Sequence, residues 1–118
     1  MKFKLIIAMV EDTKTDQIML AARQAGATGA TIVSDARGEG LNPQQTFFGL
    51  NLEAQRNILM FIVEEHLSRK VLEKISDVGE FEKESGCGLA FQIDIEDAIG
   101  LGNQIHAIEG NMDKTLTS

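Results

Sequence analysis

The sequence predicts an α+β domain, a ferredoxin-like βαββαβ plait with one four-stranded antiparallel sheet, on three observations. Four segments have the alternation or the continuous apolar run of a strand, two carry apolar residues at helical spacing, and they follow one another as strand, helix, strand, strand, helix, strand. A long stretch without periodicity separates the second strand from the third.

In the first strand Phe3, Leu5, Ile7 and Met9 alternate with Lys4, Ile6, Ala8 and Val10, so both faces are largely apolar and both need cover. Thr13 with Asp16 three residues on gives a capping-box-like start to a helix over 13–25, with Ile18, Met19, Ala21, Ala22 and Ala25 on one side and Gly26 placed to end it. Thr31, Ile32 and Val33 mark a second strand between Gly29 and Arg37. From Gly38 to about Gln55 no period holds, and irregular segments of that length inside a small domain tend to be functional. Asn57 to Val63 is a continuous apolar strand. Leu67, Val71, Leu72, Ile75 and Val78 then share a helix face closed by Gly79, a second loop runs from Glu80 to Gly88, and Leu89, Phe91, Ile93 and Ile95 alternate in the last strand. The tail from Gly100 is polar and weakly patterned. Two helices cover one face of such a sheet, while the first and third strands are apolar on both; the other face is therefore expected to pack against another copy of the chain.

Composition narrows the function. The 118 residues carry 11 Lys and Arg against 18 Asp and Glu, a net charge of −7. That balance, with six Phe, no Tyr or Trp and no basic cluster, argues against nucleic-acid binding. Cys87 is the lone cysteine, which excludes a disulfide scaffold. No apolar run approaches the roughly 20 residues of a membrane helix. Glu11 and Asp12 close the N-terminal apolar run with no small-residue cleavage site, so a cytoplasmic protein that is not membrane-embedded is expected.

Two glycine-rich loops, Gly38-Glu39-Gly40 and Gly86-Cys87-Gly88, have the composition of backbone anion cradles, although neither opens a helix and each alone is a weak signal. Cys87 would need a neighbouring base to act as a nucleophile and reads as an unreactive loop thiol. Glu64, Glu65 and His66 offer metal-ligand chemistry, but adjacent side chains at a strand-to-helix junction are expected to diverge, and they read as solvated residues at a helix start. No catalytic triad is evident, and no enzyme is predicted.

Taken together these segments resemble the PII signal-transduction family. The resemblance rests on Gly26-Ala27-Thr28-Gly29-Ala30-Thr31-Ile32-Val33, similar to the family's turn and second strand. It rests also on Gly38-Glu39-Gly40, where the family's long T-loop opens, and on Gly86-Cys87-Gly88 with the strand to Ile95, similar to its B-loop and following strand. It spans residues 1–100, with a T-loop at about 38–55, and leaves 101–118 as a polar C-terminal tail. It implies a homotrimer that binds an adenine nucleotide in clefts between subunits and regulates a target protein, such as a membrane transporter, through the T-loop, in nitrogen or transport control. Carried over by position, the implied effector-binding residues are Ile7, Thr31, Arg37, Gly38, Gly40, Val63, Gly86, Cys87 and Gly88. Ile7 and Val63 would line the adenine pocket, with ordinary core as the competing reading for both.

The departures from the family pattern bear on the ligand. Cys87 and Leu89 stand where the family has an acidic residue and a lysine, and residues 96–101 contain no arginine where the family has two. Charge-assisted contacts contribute about 1.5–3 kcal/mol each, so triphosphate binding should be weak and ADP or AMP should suit the cleft better than ATP. Leu41, Asn42 and Pro43 replace a basic residue and a metal-chelating glutamine, which argues against a magnesium-dependent 2-oxoglutarate site, and no metal is predicted. The alternative is a metal-binding trimer of the divalent-cation-tolerance type using Glu64, Glu65, His66 and Cys87; a small enzyme built on Cys87 is third.

Overall fold

In a computed structural model of the chain, two nine-residue strands, β1 (Phe3–Glu11) and β5 (Arg56–Glu64), lie side by side at the centre of a four-stranded antiparallel sheet. β2 (Ala30–Ala36) flanks β5 and β6 (Gly88–Asp94) flanks β1, giving the order β2-β5-β1-β6. Two helices, α1 (Thr15–Ala25) and α2 (Glu65–Gly79), complete the predicted plait. The structure describes residues 1–36, 46–47, 50–51, 56–83, 88–102 and 105–109.

The period-2 pattern of the strands divides the sheet into two faces. Ile6, Ala8 and Val10 of β1 and Leu59, Phe61 and Val63 of β5 are fully buried together with Ile18, Ala22, Val71 and Ile75 of the helices, so one face with its two helices forms the core. The alternate residues form the open face. The register sets Thr31, Met60, Ile7 and Phe91 in one row across all four strands, and Val33, Ile58, Met9 and Leu89 in the next. Leu5, Ile62 and Ile93 make a third row. Each face of β1 and β5 is apolar, as expected, and among the described residues only the helix side is covered.

Several boundaries move. α1 begins at Thr15 rather than Thr13, after a 3₁₀ turn over Asp12–Lys14, and no side chain caps it. Tertiary bonds govern the junction instead: Asn57 Nδ2 donates to Asp12 Oδ1 (2.9 Å) and Thr15 Oγ1 (2.8 Å), and the Thr15 hydroxyl donates to Glu11 O (3.2 Å). Gly26 ends α1 at φ 127°, as expected of a glycine. α2 ends at Gly79, as expected, and the left-handed conformation falls one residue later, at Glu80 (φ 58°). Inside the stretch without periodicity, β3 (Thr46–Phe47) pairs with β4 (Leu50–Asn51). The C-terminal segment also departs from a simple polar tail: residues 105–109 are helical, Ile105 N–H donates to Leu101 O (3.0 Å), and Ile108 is buried. No helix among the described residues is long and apolar enough to cross a membrane.

Phe61 is the largest of the fully buried side chains and stands opposite both Ile6 and Ala30 in the ladder. Phe61→Ala is expected to lower unfolding free energy by about 3–5 kcal/mol, measured by urea denaturation.

Candidate functional site

Arg56, the first residue of β5, pairs in register with both Glu11 and Ala36, the last residues of β1 and β2. β6 begins at Gly88, opposite Val10. The segments 37–55 and 84–87 therefore leave the same end of the sheet, and that end is the candidate functional region.

Of the predicted site residues, Ile7 and Thr31 share an open-face row with Met60 between them. Ile7 is half-buried and Thr31 is exposed on β2, an edge strand. Val63 lies on the other face, fully buried in the helix-side core, so it does not line a pocket with Ile7; the competing reading of an ordinary core residue describes it. The open-face neighbours on β5 are Met60 and Ile62, which the continuous apolar run Asn57–Val63 conceals and the strict alternation of a strand reveals. Gly88 stands on β6, the opposite edge. Arg37, Gly38, Gly40, Gly86 and Cys87 lie outside the described residues.

Thr31 and Gly88 are thus separated by the full width of the sheet, three strand spacings or roughly 14 Å. Among the described residues, one chain does not bring Thr31 and Gly88 together.

Arg56 was missed by sequence reasoning, which left it between a loop and a strand. It is 6% exposed, has the strand parity of Ile58 and Met60 on the open face, and pairs with Glu11 (Nη1 to Oε1 3.7 Å). A buried guanidinium is kept only where anions face it. It supplies a cation at the end from which 37–55 departs.

At the opposite end, the ligand atoms of Glu64, Glu65 and His66 lie within 4.8 Å of one another, contrary to the expectation that they diverge. The reason is a cap. Glu64 Oε2 accepts the His66 backbone N–H (2.9 Å) as the N-cap of α2, and its Oε1 meets the ring Nδ1 at 2.5 Å. The nearly buried carboxylate is consumed by these contacts, and the positive end of the helix dipole opposes a cation there. The hydrogen bond from the imidazole to Glu64, then the charge of Glu64, hold the pKa of His66 above its ordinary value, with a smaller contribution from Glu65 against desolvation. On β6, the Lys4 ammonium hydrogen-bonds and attracts the Asp94 carboxylate and lowers its pKa.

Set against models of known families, residues 3–103 match the one described as nitrogen regulatory protein P-II. Among solved structures, the chain is similar to a protein assigned as PII-like and signalling from Thermus thermophilus, with TM-score 0.59 and 23% identity over 80% of this chain and 87% of that one. It is similar also to CPII from Thiomonas intermedia, solved bound to ADP, AMP and acetate, with TM-score 0.60 and 22% identity over 81% of this chain and 90% of that one. At such identities the likeness is one of fold. No curated protein matches the chain.

The His66 pair sets a pH dependence. A group whose folded pKa is raised contributes stability below its unfolded value of 6.5 and loses it as pH rises through the folded value. NMR titration should place His66 above 6.5, Glu64→Gln should bring it back down, and the stability gap between the two proteins should narrow from pH 6 to pH 8.

Proposed function

The chain belongs to the nitrogen regulatory protein P-II family, whose members are signalling regulators and not enzymes, and from that premise we propose that it is a cytoplasmic regulatory homotrimer with an effector site between subunits. The effector is an adenine nucleotide, ADP or AMP in preference to ATP. The response is carried to a target protein, such as a membrane transporter, by the loop at 38–55, in nitrogen or transport control. Residues 1–100 form the sensing unit, and 101–118 follow it.

The observation that carries this reading is the division of the site. Thr31 stands on the β2 edge and Gly88 on the β6 edge, with Ile7 on the central strand β1 beside β6, so a ligand that touches both edges needs the β2 edge of one copy beside the β6 edge of another. Such a contact is heterologous and closes into a ring when the rotation permits. The open face supports the same assembly. Leu5, Ile7, Met9, Ile58, Met60, Ile62, Leu89, Phe91 and Ile93 form a continuous apolar surface that a single chain leaves partly in water, and contiguous patches of this kind mark interfaces.

The nucleotide class has two supports. The solved CPII structure, of the same fold, holds ADP and AMP. Within this chain, Arg56 is a cation placed on the open face where 37–55 rejoins the sheet, while residues 96–101 contribute Glu96 and Asp97 and no arginine. Fewer cations favour the less charged nucleotide. An effector that binds one arrangement of the loop better than another shifts the populations of the two, which is the physical content of sensing here. The metal-binding alternative gains nothing from Glu64, Glu65 and His66, whose central carboxylate is already occupied as a helix cap.

Calorimetry with ATP, ADP and AMP, each with and without magnesium, tests the reading. One site per chain with ADP or AMP tighter than ATP is expected, and Arg56→Gln should weaken ADP by about tenfold or more. Absence of heat with all three nucleotides overturns it. Light scattering is expected to give a trimer for the native chain and a smaller species for Met60→Glu, which places a carboxylate in the middle of the open face.

A further inference from the structure

Ile32 is a large apolar side chain at a position the single chain does not account for. Its ladder partner Leu59 faces the helices and is fully buried, as is Ala8 beyond it, yet Ile32 is 43% exposed. β2 is an edge strand, and the helices leave this end of the row short of cover. One exposed isoleucine is ordinary on a protein surface. This one has a counterpart at the far end of its own row.

The row is Ile32, Leu59, Ala8 and Ala90, one residue from each strand. Ala90 and its same-side neighbour Gly88 are small, and between the β6 edge and the outer flank of α2 lies a groove of about 350 Å³. Leu72 and Phe81 give it apolar walls. Phe81 lies hard against Gly88, where any added side chain would collide with its ring. The outer rim is charged and self-paired, with Arg69 Nε donating to Glu73 Oε1 (3.0 Å). An apolar groove on one edge thus stands level with an apolar side chain protruding from the other.

Strand direction lets the two meet. β2 runs parallel to β1 and β6 antiparallel to it, so copies related by rotation about an axis along the strands set β2 of one antiparallel to β6 of the next. That rotation keeps the rows level and turns the helices outward and the apolar open faces toward the axis. We propose that Ile32 of each copy inserts into the α2–β6 groove of the next, over Ala90 and against Leu72 and Phe81. The occupant of the groove is a second copy of this chain. The contact rests on the ring of subunits proposed above and adds to it an apolar lock on the outer, helix-bearing side. The same lock fixes the level at which the β2 edge meets the β6 edge.

Cysteine cross-linking reads the contact directly. Within one chain, positions 32 and 90 are three strand spacings apart, roughly 14 Å, whereas a disulfide needs α-carbons within about 7 Å. Ile32→Cys with Ala90→Cys, in a Cys87→Ser chain, can therefore link only separate copies. Mild oxidation is expected to give a covalent ladder ending at the trimer on a non-reducing gel. Exchange of size is the second test. Ile32→Ala removes the knob and Ala90→Leu fills the groove. Each should raise the protein concentration of half-dissociation about tenfold, measured by light scattering. Combined, they should recover part of the loss, because the leucine takes the space the isoleucine vacates.

A native trimer whose paired cysteines stay unlinked overturns the contact and leaves the ring standing. A native chain that is monomeric overturns the ring and the contact together. A ladder that ends at another number of copies upholds the contact and overturns the trimer. An unchanged trimer in Ala90→Leu overturns the second copy as occupant, and points to a small ligand or a partner peptide in the groove. Losses that simply add in the combined variant overturn the packing of Ile32 against Ala90.

Discussion

A sheet apolar on both faces, with helices enough for one, is the constraint from which the rest of this structure follows. Along β5 the residues facing the helices (Leu59, Phe61, Val63) are fully buried and those between them (Ile58, Met60, Ile62) are only half-buried, yet all six are apolar. An antiparallel sheet tolerates one solvated face when that face is polar. This one is not, so the single chain is an incomplete solution to its own burial problem. The same sheet order that leaves the face open puts β2 and β6 at opposite edges. Thr31 and Gly88 of the candidate site fall on those two edges, and the assembly that would cover the apolar face is also the one that would bring them together.

The two ends of the sheet are built differently. At the end where 37–55 and 84–87 depart, polar groups are buried and satisfied. Asn57, 4% exposed, bonds Asp12 and Thr15, and Arg56 pairs with Glu11. Bonds of this kind are costly to break one at a time, because each leaves a buried partner unsatisfied. The strand ends from which the long segment leaves are accordingly fixed points. The other end carries a solvent-facing cap, with His66 largely exposed over the carboxylate of Glu64, and answers to pH. The fold thus separates a firm junction, beside the candidate site, from a titrating surface group remote from it.

The order of elements was legible because period and length sufficed: alternation in β1 and β6 and helical spacing in α1 and α2 do not depend on tertiary contacts. What sequence could not supply was parity. In Asn57–Val63 every residue beyond the first is apolar, so the run does not say which side chains face the helices, and Val63 was grouped with Ile7 although they lie on opposite faces. The register against β1 settles it. Glycines carry a second demand. Gly79 has the position of a helix stop and Gly88 the setting of a phosphate cradle, and both also leave room for the ring of Phe81, a long-range demand that no local pattern carries. Thr13 looked like a cap because its hydroxyl and Asp16 have the right spacing, and the contacts of Asn57 from 42 and 45 residues away decided the helix start instead.

Arg56 ties these points to the chemistry. It follows a segment without periodicity and precedes an apolar run, and in sequence nothing marks it. In the fold it occupies the position where β1, β2 and β5 end together, beneath the departure point of 37–55 and on the same face as Thr31 and Ile7. Its charge is already balanced in part by Glu11. An anion arriving at this end therefore meets a guanidinium with a competing carboxylate, in a chain of net charge −7. Under the effector reading proposed above, Arg56, as the first residue after 37–55, would couple the charge of the ligand to the point where that segment rejoins the sheet through one side chain.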